Sequence, residues 1–345
     1  MVQKGFTLIE MLIALVVLGL MILTVQPMLN MAFTFIEKSM QMEEILNNKK
    51  LGDALVEYAR NRDGVSRNRL PAPVYAADDS VNGGLYDPTK TDSESLALAR
   101  TLLAAGVQTN AINFDSTAAK NARVYQVVSG QTIAVPYYGS TGDKVTLTYD
   151  YGVLYATKCM RSSACYKNAT PANPPGDSAQ ITAATIASWG IAGQDQPPIA
   201  FSTLGNQKQL LRSTAGRLNQ LSERFVTDFH NKIRLAAADS TLNFFETNTG
   251  GLSLGNVDPA LNFGCRDGWY SLSAANVDVL TKLGLNKSEM GVTAWGAPIS
   301  YCRDFDPAGT GTWNDPPHYG ALMINKNMIS TAVPTVLADA LIIPF

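Results

Sequence analysis

Hydrophobic positions are spread very unevenly along this chain, and the most apolar stretch comes near its beginning. Residues 6–25 read FTLIEMLIALVVLGLMILTV, which is apolar apart from two threonines, one glycine and Glu10. At about 1.5 Å rise per residue, a helix of this length crosses a hydrocarbon layer of about 30 Å. The pattern therefore predicts a membrane-spanning helix at residues 6–25.

The helical pattern continues beyond this apolar run. Between positions 29 and 40, apolar residues recur every three or four positions, which places them on one face of a helix. The turn signal arrives only at Asp63-Gly64, so we expect one helix at residues 6–62 with an amphipathic second half. Pro27 lies inside this helix, where it removes a backbone donor and predicts a kink.

The remainder of the chain contains shorter segments, some with the periodicity of a helix and others with the residue types of a strand. Helices are expected at residues 93–105 and 207–237, the second of them amphipathic. We expect an α+β fold in which the long helix packs on an antiparallel sheet, with a first α/β part at 63–205 and a second at 206–345. Runs of β-branched and aromatic residues between turns predict strands at 124–128, 132–136, 144–149, 153–156, 242–246 and 269–272.

Composition narrows the classes of function. Hydrophobic residues make up 46 % of the 345 residues, charged residues 16 %, and the formal net charge is −2. This charged share is below the roughly 25 % of a typical soluble chain and argues against disorder. No overall charge attracts nucleic acid or an anionic membrane. With two histidines and four cysteines, a multi-histidine metal centre is excluded.

Glu10 is unusual, because a carboxylate in an apolar membrane helix costs several kcal/mol unless it is paired or protonated. The residues around it, KGFTLIE, followed by an unbroken apolar helix and Pro27, closely resemble the leader of type IV pilins and pseudopilins. The resemblance implies that prepilin peptidase cleaves between Gly5 and Phe6, which removes the leader 1–5, and that Phe6 is N-methylated. It also implies that Glu10 neutralises the new amino terminus of a neighbouring subunit.

The same resemblance implies a structural subunit of a type IV pilus-like or type II secretion filament, possessing no enzymatic activity. The size of the head favours a minor or tip subunit, or an unusually large major one. Expected partners are other pilin or pseudopilin subunits, prepilin peptidase and the inner-membrane assembly platform. Lys4 orients the chain by the positive-inside rule, so we expect a single pass through the inner membrane with the head in the periplasm, then a surface or periplasm-spanning filament. A surface-displayed adhesin is the alternative.

Two later passages resemble the same family. Leu70-Pro71-Ala72-Pro73 follows the long helix, as an L-P-x-P passage does in some pilin-like proteins. Trp295-Gly296-Ala297-Pro298, followed by Tyr301, resembles the W-G-x-P passage that starts a strand in major pseudopilins. The second passage supports a pilin-like head rather than an unrelated domain on a pilin anchor.

The four cysteines predict two disulfides, since an even number of cysteines in an exported chain is typical of disulfide bonding. Three pairings are open, and the spacings favour Cys159–Cys165 and Cys265–Cys302. The second bond would staple the C-terminal region, where type IV pilins commonly place a disulfide. A zinc site is the competing hypothesis, and the lack of a C-x₂-C pair disfavours it.

Carboxylates follow the W-G-x-P passage. Asp304 and Asp306 come directly after its strand, and Asp315 lies beyond them in a Gly-rich loop. Calcium takes several oxygen ligands from such loops, and major pseudopilins bind calcium at about this place, so the resemblance implies a calcium site. Aspartates beside Pro and Gly are also typical of metal-free turns, and both hypotheses stay open.

A remote alternative is an exported esterase. Gly251–Gly255 matches G-x-S-x-G around Ser253, and Asp304 or Asp306 and then His318 follow in the order of the α/β-hydrolases. Such a nucleophile needs a buried strand before it and a helix after it. Turn residues flank the pattern on both sides and disfavour this hypothesis.

DNA binding is a further alternative for the end of the long helix. Arginines in a cluster would contact DNA phosphates, as they do in some minor pilins of uptake systems. The same residues are also explained by a solvated loop, in which the positive arginines interact favourably with the C-terminal end of the helix dipole. The arginines concerned are Arg60, Arg62, Arg67 and Arg69.

Overall fold

The structure is a computed structural model with an α+β fold, antiparallel sheets, a long N-terminal helix and a disulfide, as the sequence predicts. The chain folds into two compact units that interleave along the sequence. The first unit comprises Met1–Tyr58, Leu70–Val127 and Gly152–Phe201, and the second Ala59–Arg69, Val128–Tyr151 and Ser202–Phe345. The structure describes residues 8–62, 68–76, 79–84, 93–106, 122–137, 142–157, 198–238, 240–249, 263–266, 268–307 and 316–345.

Up to Ser202, the described residues form two helices and five strands. Of the helix predicted at 6–62, the part from 8 to 60 is confirmed, and so is the helix predicted at 93–105, which ends before Gly106, whose φ is 78°. The domain boundaries expected from the sequence stay predictions. The elements are α1 (Leu8–Arg60), β1 (Val74–Ala76), β2 (Asp79–Gly84), α2 (Ser93–Ala104), β3 (Ala122–Pro136), β4 (Lys144–Thr157) and β5 (Ile199–Ser202).

The remaining elements follow a second long helix, which confirms the prediction at 207–237, although it begins and ends a few residues earlier. Strand β7 starts two residues after Pro298, as the W-G-x-P passage predicts. The sheets have the strand orders β1-β2, β3-β4-β5 and β6-β7-β8-β9. The elements are α3 (Leu204–Ile233), β6 (Tyr270–Ser271), α4 (Val279–Lys282), α5 (Lys287–Met290), β7 (Ser300–Cys302), β8 (Ala321–Asn325), a 3₁₀ turn (Leu337–Asp339) and β9 (Ala340–Pro344).

The strand predicted at 242–246 is wrong, because side chains occupy the backbone groups that a sheet would use. The Asn243 side chain accepts from the Phe245 N–H at 2.9 Å. The Arg303 guanidinium donates to the carbonyls of Phe245 (3.0 Å) and Asn243. A run of apolar residues here predicts burial correctly for Phe245, but not ladder pairing.

The two predicted strand pairs at 124–136 and 144–156 are single long strands. Gly130, expected to end a strand, has a φ of 72° and stays within β3. Its N–H donates to Asp150 Oδ1 at 2.9 Å, so a side chain from β4 satisfies the backbone at this irregular point. The turn expected between 128 and 132 is therefore wrong, because the strand continues through Gly130.

In the first unit, the ring of Phe201 occupies space left by two glycines. A Cβ at Gly152 would lie 2.8 Å from Phe201 Cζ and 3.0 Å from Leu70 Cδ1. A Cβ at Gly52 of α1 would lie 3.0 Å from Phe201 Cδ1. The hydroxyl of the buried Tyr125 donates to the Pro71 carbonyl at 2.9 Å, which holds the L-P-x-P passage against β3.

In the second unit, α3 packs on one face of the sheet β6-β7-β8-β9. Alternation along β8 divides its side chains between the faces, so that Leu322 and Ile324 join the core with α3. Phe225 of α3 stacks on Tyr301 of β7 with ring centroids 4.3 Å apart. Ala321 and Met323 face the other way, into a smaller core around the disulfide.

We predict that Gly152→Ala destabilises the protein by about 1–3 kcal/mol, because the new methyl group meets ring atoms of Phe201 that have little room to move. The free energy of unfolding is measured by urea denaturation of the full-length chain in detergent. Gly216→Ala is the matched control. It lies in the middle of α3 with open space around its Cβ position and is expected to stabilise by about 0.5–1 kcal/mol. Equal effects of the two changes would contradict the close packing.

Candidate functional site

The N-terminal part of α1 forms an apolar arm, which we define as residues 8–47. Every described side chain from Ile9 to Met40 is exposed. The large hydrophobic ones range from 46 % exposed at Val17 to 76 % at Met31. No charged residue occurs between Glu10 and Glu37. Because apolar side chains point in every direction between Glu10 and Glu37, this stretch of the arm has no charged face.

The last turns of α1 behave differently. Buried positions recur there at helical spacing, so this part of the helix belongs to the cores of the two units. The change from exposed to buried side chains lies near Asn48, about 60 Å along the helix axis from its first described residue. The buried residues are Asn48, Leu51, Ala54, Leu55, Tyr58 and Ala59.

The predicted processing and assembly residues fall at the start of this helix. Gly5 and Phe6 lie outside the described residues. Glu10 lies in the backbone of α1, while its side chain is outside the described ones, and Pro27 lies inside a helix that continues past it. The span expected at 6–25 begins outside the described residues, and in the part of the chain that is described no helix is both long and apolar enough to cross a membrane.

The predicted disulfide Cys265–Cys302 is present, with a Cα–Cα distance of 5.9 Å. It joins the loop before β6 to β7, and both cysteines are fully buried beside Trp269. Since both sulfur atoms are used in this bond, the two residues do not form a zinc site. Cys159 and Cys165 lie outside the described residues, and their pairing stays a prediction.

The predicted calcium ligands are only partly described. Asp304 and Asp306 are both largely buried, and Asp315 lies outside the described residues. Asp304 Oδ1 accepts from Asn243 Nδ2 at 2.6 Å, so this oxygen already has a donor. Among the described residues no group of three or more His, Cys, Asp or Glu side chains is arranged to hold a metal ion. The calcium site stays a prediction.

The predicted esterase residues are described only in part. Ser253, with the whole of Gly251–Gly255, lies outside the described residues. His318 is half-buried, and its Nε2 lies 2.8 Å from the Thr241 carbonyl oxygen. Asp304 is hydrogen-bonded to Asn243, so the two candidate partners of the serine each engage a different group. The esterase hypothesis gains no support from these contacts.

Arg69 and Arg62, two of the clustered arginines, are hydrogen-bonded within the fold. Arg69 Nε donates to Asp150 Oδ2 at 3.0 Å, and the carboxylate of Asp150 has 0 % exposure. Arg62 donates to the Arg69 carbonyl at 2.9 Å. Arg60 lines a cavity of the second unit, and Arg67 lies outside the described residues. The DNA hypothesis thus loses Arg69 as a free phosphate contact.

Asp150 joins three segments of the second unit. Besides Arg69, its carboxylate accepts from the Gly130 N–H at 2.9 Å. Its backbone exchanges hydrogen bonds with Thr203, the residue before α3. Nothing in the local sequence marks this residue, because Arg69 lies 81 positions and Thr203 53 positions away along the chain. A buried carboxylate with this set of donors is a structural centre of the unit.

The W-G-x-P passage forms a tight turn held against α3. Gly296 has a φ of 85°, a conformation that favours glycine, and its N–H donates to the Thr293 carbonyl at 2.9 Å. The turn thereby positions the start of β7 on the helix. Three hydrogen bonds tie it to α3: Trp295 Nε1 to Gln207 Oε1 (2.7 Å), the Ala294 N–H to Thr214 Oγ1 (2.9 Å) and Arg217 Nη1 to the Val292 carbonyl (2.9 Å).

A cluster of charges lies at the end of α3. Lys232 Nζ contacts Glu246 and lies 2.8 Å from Asp228 Oδ2, and Lys282 Nζ lies 3.3 Å from Glu246 Oε1. Burial raises the pKa of the Glu246 carboxyl, but hydrogen bonds and charge from Lys232 and Lys282 outweigh it and hold the pKa below its ordinary value of 4.5. Its contribution to stability is therefore full above pH 4.5 and is lost as the pH falls through the folded-state pKa.

We predict that Arg69→Gln lowers the free energy of unfolding by about 2–3 kcal/mol, because it leaves the buried Asp150 carboxylate without its cation. The partial exposure of Arg69 keeps the loss below that of a fully buried pair. Urea denaturation measures the effect, and Arg212→Gln, an exposed position of α3, serves as the control. Unchanged stability together with weaker retention on DNA would instead support the DNA hypothesis.

Comparison with known proteins identifies the N-terminal segment. Residues 1–25 match the family model of the prokaryotic N-terminal methylation motif. No curated protein and no solved structure matches the chain. The motif supports processing by prepilin peptidase and assembly with other pilin subunits, and it points to a structural subunit. The resemblance carried by KGFTLIE is confirmed, and the chain begins with the methylation segment of the type IV pilin and pseudopilin family.

Proposed function

We propose that this protein is a subunit of a type IV pilus-like or type II secretion filament, assembled through side-by-side packing of the α1 arms of neighbouring subunits. The observation that carries the proposal is the exposed apolar surface of the arm, which extends from Ile9 to Met40. Monomeric soluble proteins rarely expose apolar patches larger than a few hundred Å². Copies of the same arm provide a matching apolar partner of the same length.

The charge distribution of the arm supports a packed assembly. Glu10 is separated by 26 uncharged residues from Glu37, the next charged position. In a bundle of arms, an isolated carboxylate would be surrounded by apolar side chains, where it needs a cation. Cleavage between Gly5 and Phe6 would create an amino group on Phe6. In the bundle, this amine of one subunit would lie beside Glu10 of a neighbouring subunit. We propose that Glu10 pairs with this Phe6 amine, and that N-methylation leaves the amine positively charged.

Before assembly, residues 6–25 would hold the subunit in the inner membrane, with Lys4 on the cytoplasmic side and the head in the periplasm. The methylation motif and the position of the single N-terminal basic residue support this orientation. The Cys265–Cys302 disulfide fits an oxidising compartment for the head. The assembly platform would then transfer the arm from lipid to the bundle, exchanging one apolar environment for another.

We predict that Met31→Lys prevents assembly while the head keeps its stability. Met31 is 76 % exposed, so the substitution disturbs no packing in the single chain. In an apolar bundle, a lysine costs about 2.5–3.5 kcal/mol, which reduces incorporation at least tenfold. The measurement is the amount of subunit in sheared filaments relative to the membrane fraction. Met31→Leu, which keeps the position apolar, should assemble normally, and a lysine variant that also assembles would rule out the arm as the interface.

We predict that Glu10→Ala leaves the chain cleaved and membrane-bound but poorly incorporated into filaments, because the amine of a neighbouring Phe6 loses its carboxylate. Mass spectrometry of the mature N-terminus reports the cleavage, and immunoblotting of sheared filaments reports the assembly. Glu43→Ala is the matched control, since Glu43 is an exposed glutamate of the same helix nearer the head. Normal incorporation of the Glu10 variant would contradict the pairing.

A further inference from the structure

A cavity of ≈ 370 Å³ lies in the second unit beside the first turns of α3. Its volume is within the range of small-molecule sites, which is about 300–1,000 Å³. All of its lining residues belong to the second unit, and polar side chains dominate among them. Those that the following argument uses are Arg60, Asn68, Asn206, Gln209, Ser213 and Arg217.

The charge of this lining has one sign. Arg60 and Arg217 contribute two guanidinium groups, and none of the lining residues is a carboxylate. Arg217 is held in place by its Nη1 bond to the Val292 carbonyl at 2.9 Å, which uses one of the five N–H donors of the group. Asn206 lies in the first turn of α3, where the helix dipole is positive. The lining is therefore suited to an oxyanion.

Asn68 gives an independent indication of a ligand. It is 1 % exposed and has a φ of 59°, and its N–H donates to the Ala59 carbonyl at 2.7 Å. Among the described residues, its side-chain oxygen Oδ1 is buried without a hydrogen-bond donor. A buried acceptor left in this way costs about 1–3 kcal/mol, which a ligand with a hydroxyl or amine donor would recover.

We propose that this cavity binds a small hydroxylated oxyanion, a sugar acid or a sugar phosphate. Its negative group would lie between the two arginines, and a hydroxyl would donate to Asn68 Oδ1. The amides of Asn206 and Gln209 and the hydroxyl of Ser213 would supply further donors and acceptors for the remaining hydroxyls. This site is separate from the α1 arm and does not depend on the proposed filament function.

The full-length protein in detergent is titrated with three probes, and binding is measured by ligand-observed NMR. The probes share one ring: glucuronate, glucose 6-phosphate and glucose. We expect glucuronate or glucose 6-phosphate to bind at least tenfold more tightly than the neutral glucose. The charged probe that binds distinguishes a carboxylate ligand from a phosphate ligand. Equal binding of all three probes, or binding of none, would overturn the proposal.

Two variants locate the binding in the cavity. Arg60→Gln should weaken the charged probe at least tenfold, whereas Arg212→Gln, an exposed arginine of α3 that does not line the cavity, should leave it unchanged. Asn68→Gly tolerates the positive φ and should weaken the probe about threefold through the lost acceptor. If Arg60→Gln binds as the natural protein does, the site lies elsewhere. Each variant should still enter filaments, so failure here leaves the filament proposal standing.

Discussion

Exposure of the α1 arm to water costs free energy, because its exposed side chains between Glu10 and Glu37 are uncharged and mostly apolar on every face. If one face of such a helix packed against its own head, the apolar side chains on the other faces would still be exposed to water. In the proposed filament, a bundle of equal helices would supply apolar neighbours on all sides of this stretch. The described side chains of α1 are exposed from Ile9 to Met40, and buried ones begin at Asn48.

Different kinds of contact hold the buried end of α1 and the segments that follow it. In the first unit the contacts are steric, since Phe201 fills the space over Gly52 and Gly152. In the second unit they are electrostatic, since the Asp150 carboxylate accepts from Arg69 and the Gly130 N–H, and the Asp150 backbone is hydrogen-bonded to Thr203.

The periodicity of apolar residues is sufficient to predict the helices of the fold, but not every strand. Helical periodicity predicts α1, α2 and α3, because neighbours along the chain decide the outcome. The Cys265–Cys302 disulfide joins residues 37 positions apart and is predicted from the number and spacing of the cysteines. The strand expected at 242–246 is wrong because Arg303, about sixty positions away, occupies its carbonyl groups. Gly130 does not end its strand because Asp150 satisfies its N–H from the adjacent strand. Distant side chains decide both errors.

The W-G-x-P passage shows why a motif recognised in a sequence still needs its distant partners to be understood. Its Pro and Gly account for the turn, and these could be predicted from local conformational preference. Its tryptophan could have been taken for a simple core residue, but the indole N–H donates to Gln207, 88 positions away. The same turn carries Val292, whose carbonyl orients Arg217 toward the lining of the cavity. One turn therefore sets the start of β7, its attachment to α3 and the position of Arg217. The start of β7 follows from local sequence, whereas the attachment to α3 and the position of Arg217 depend on residues far away along the chain.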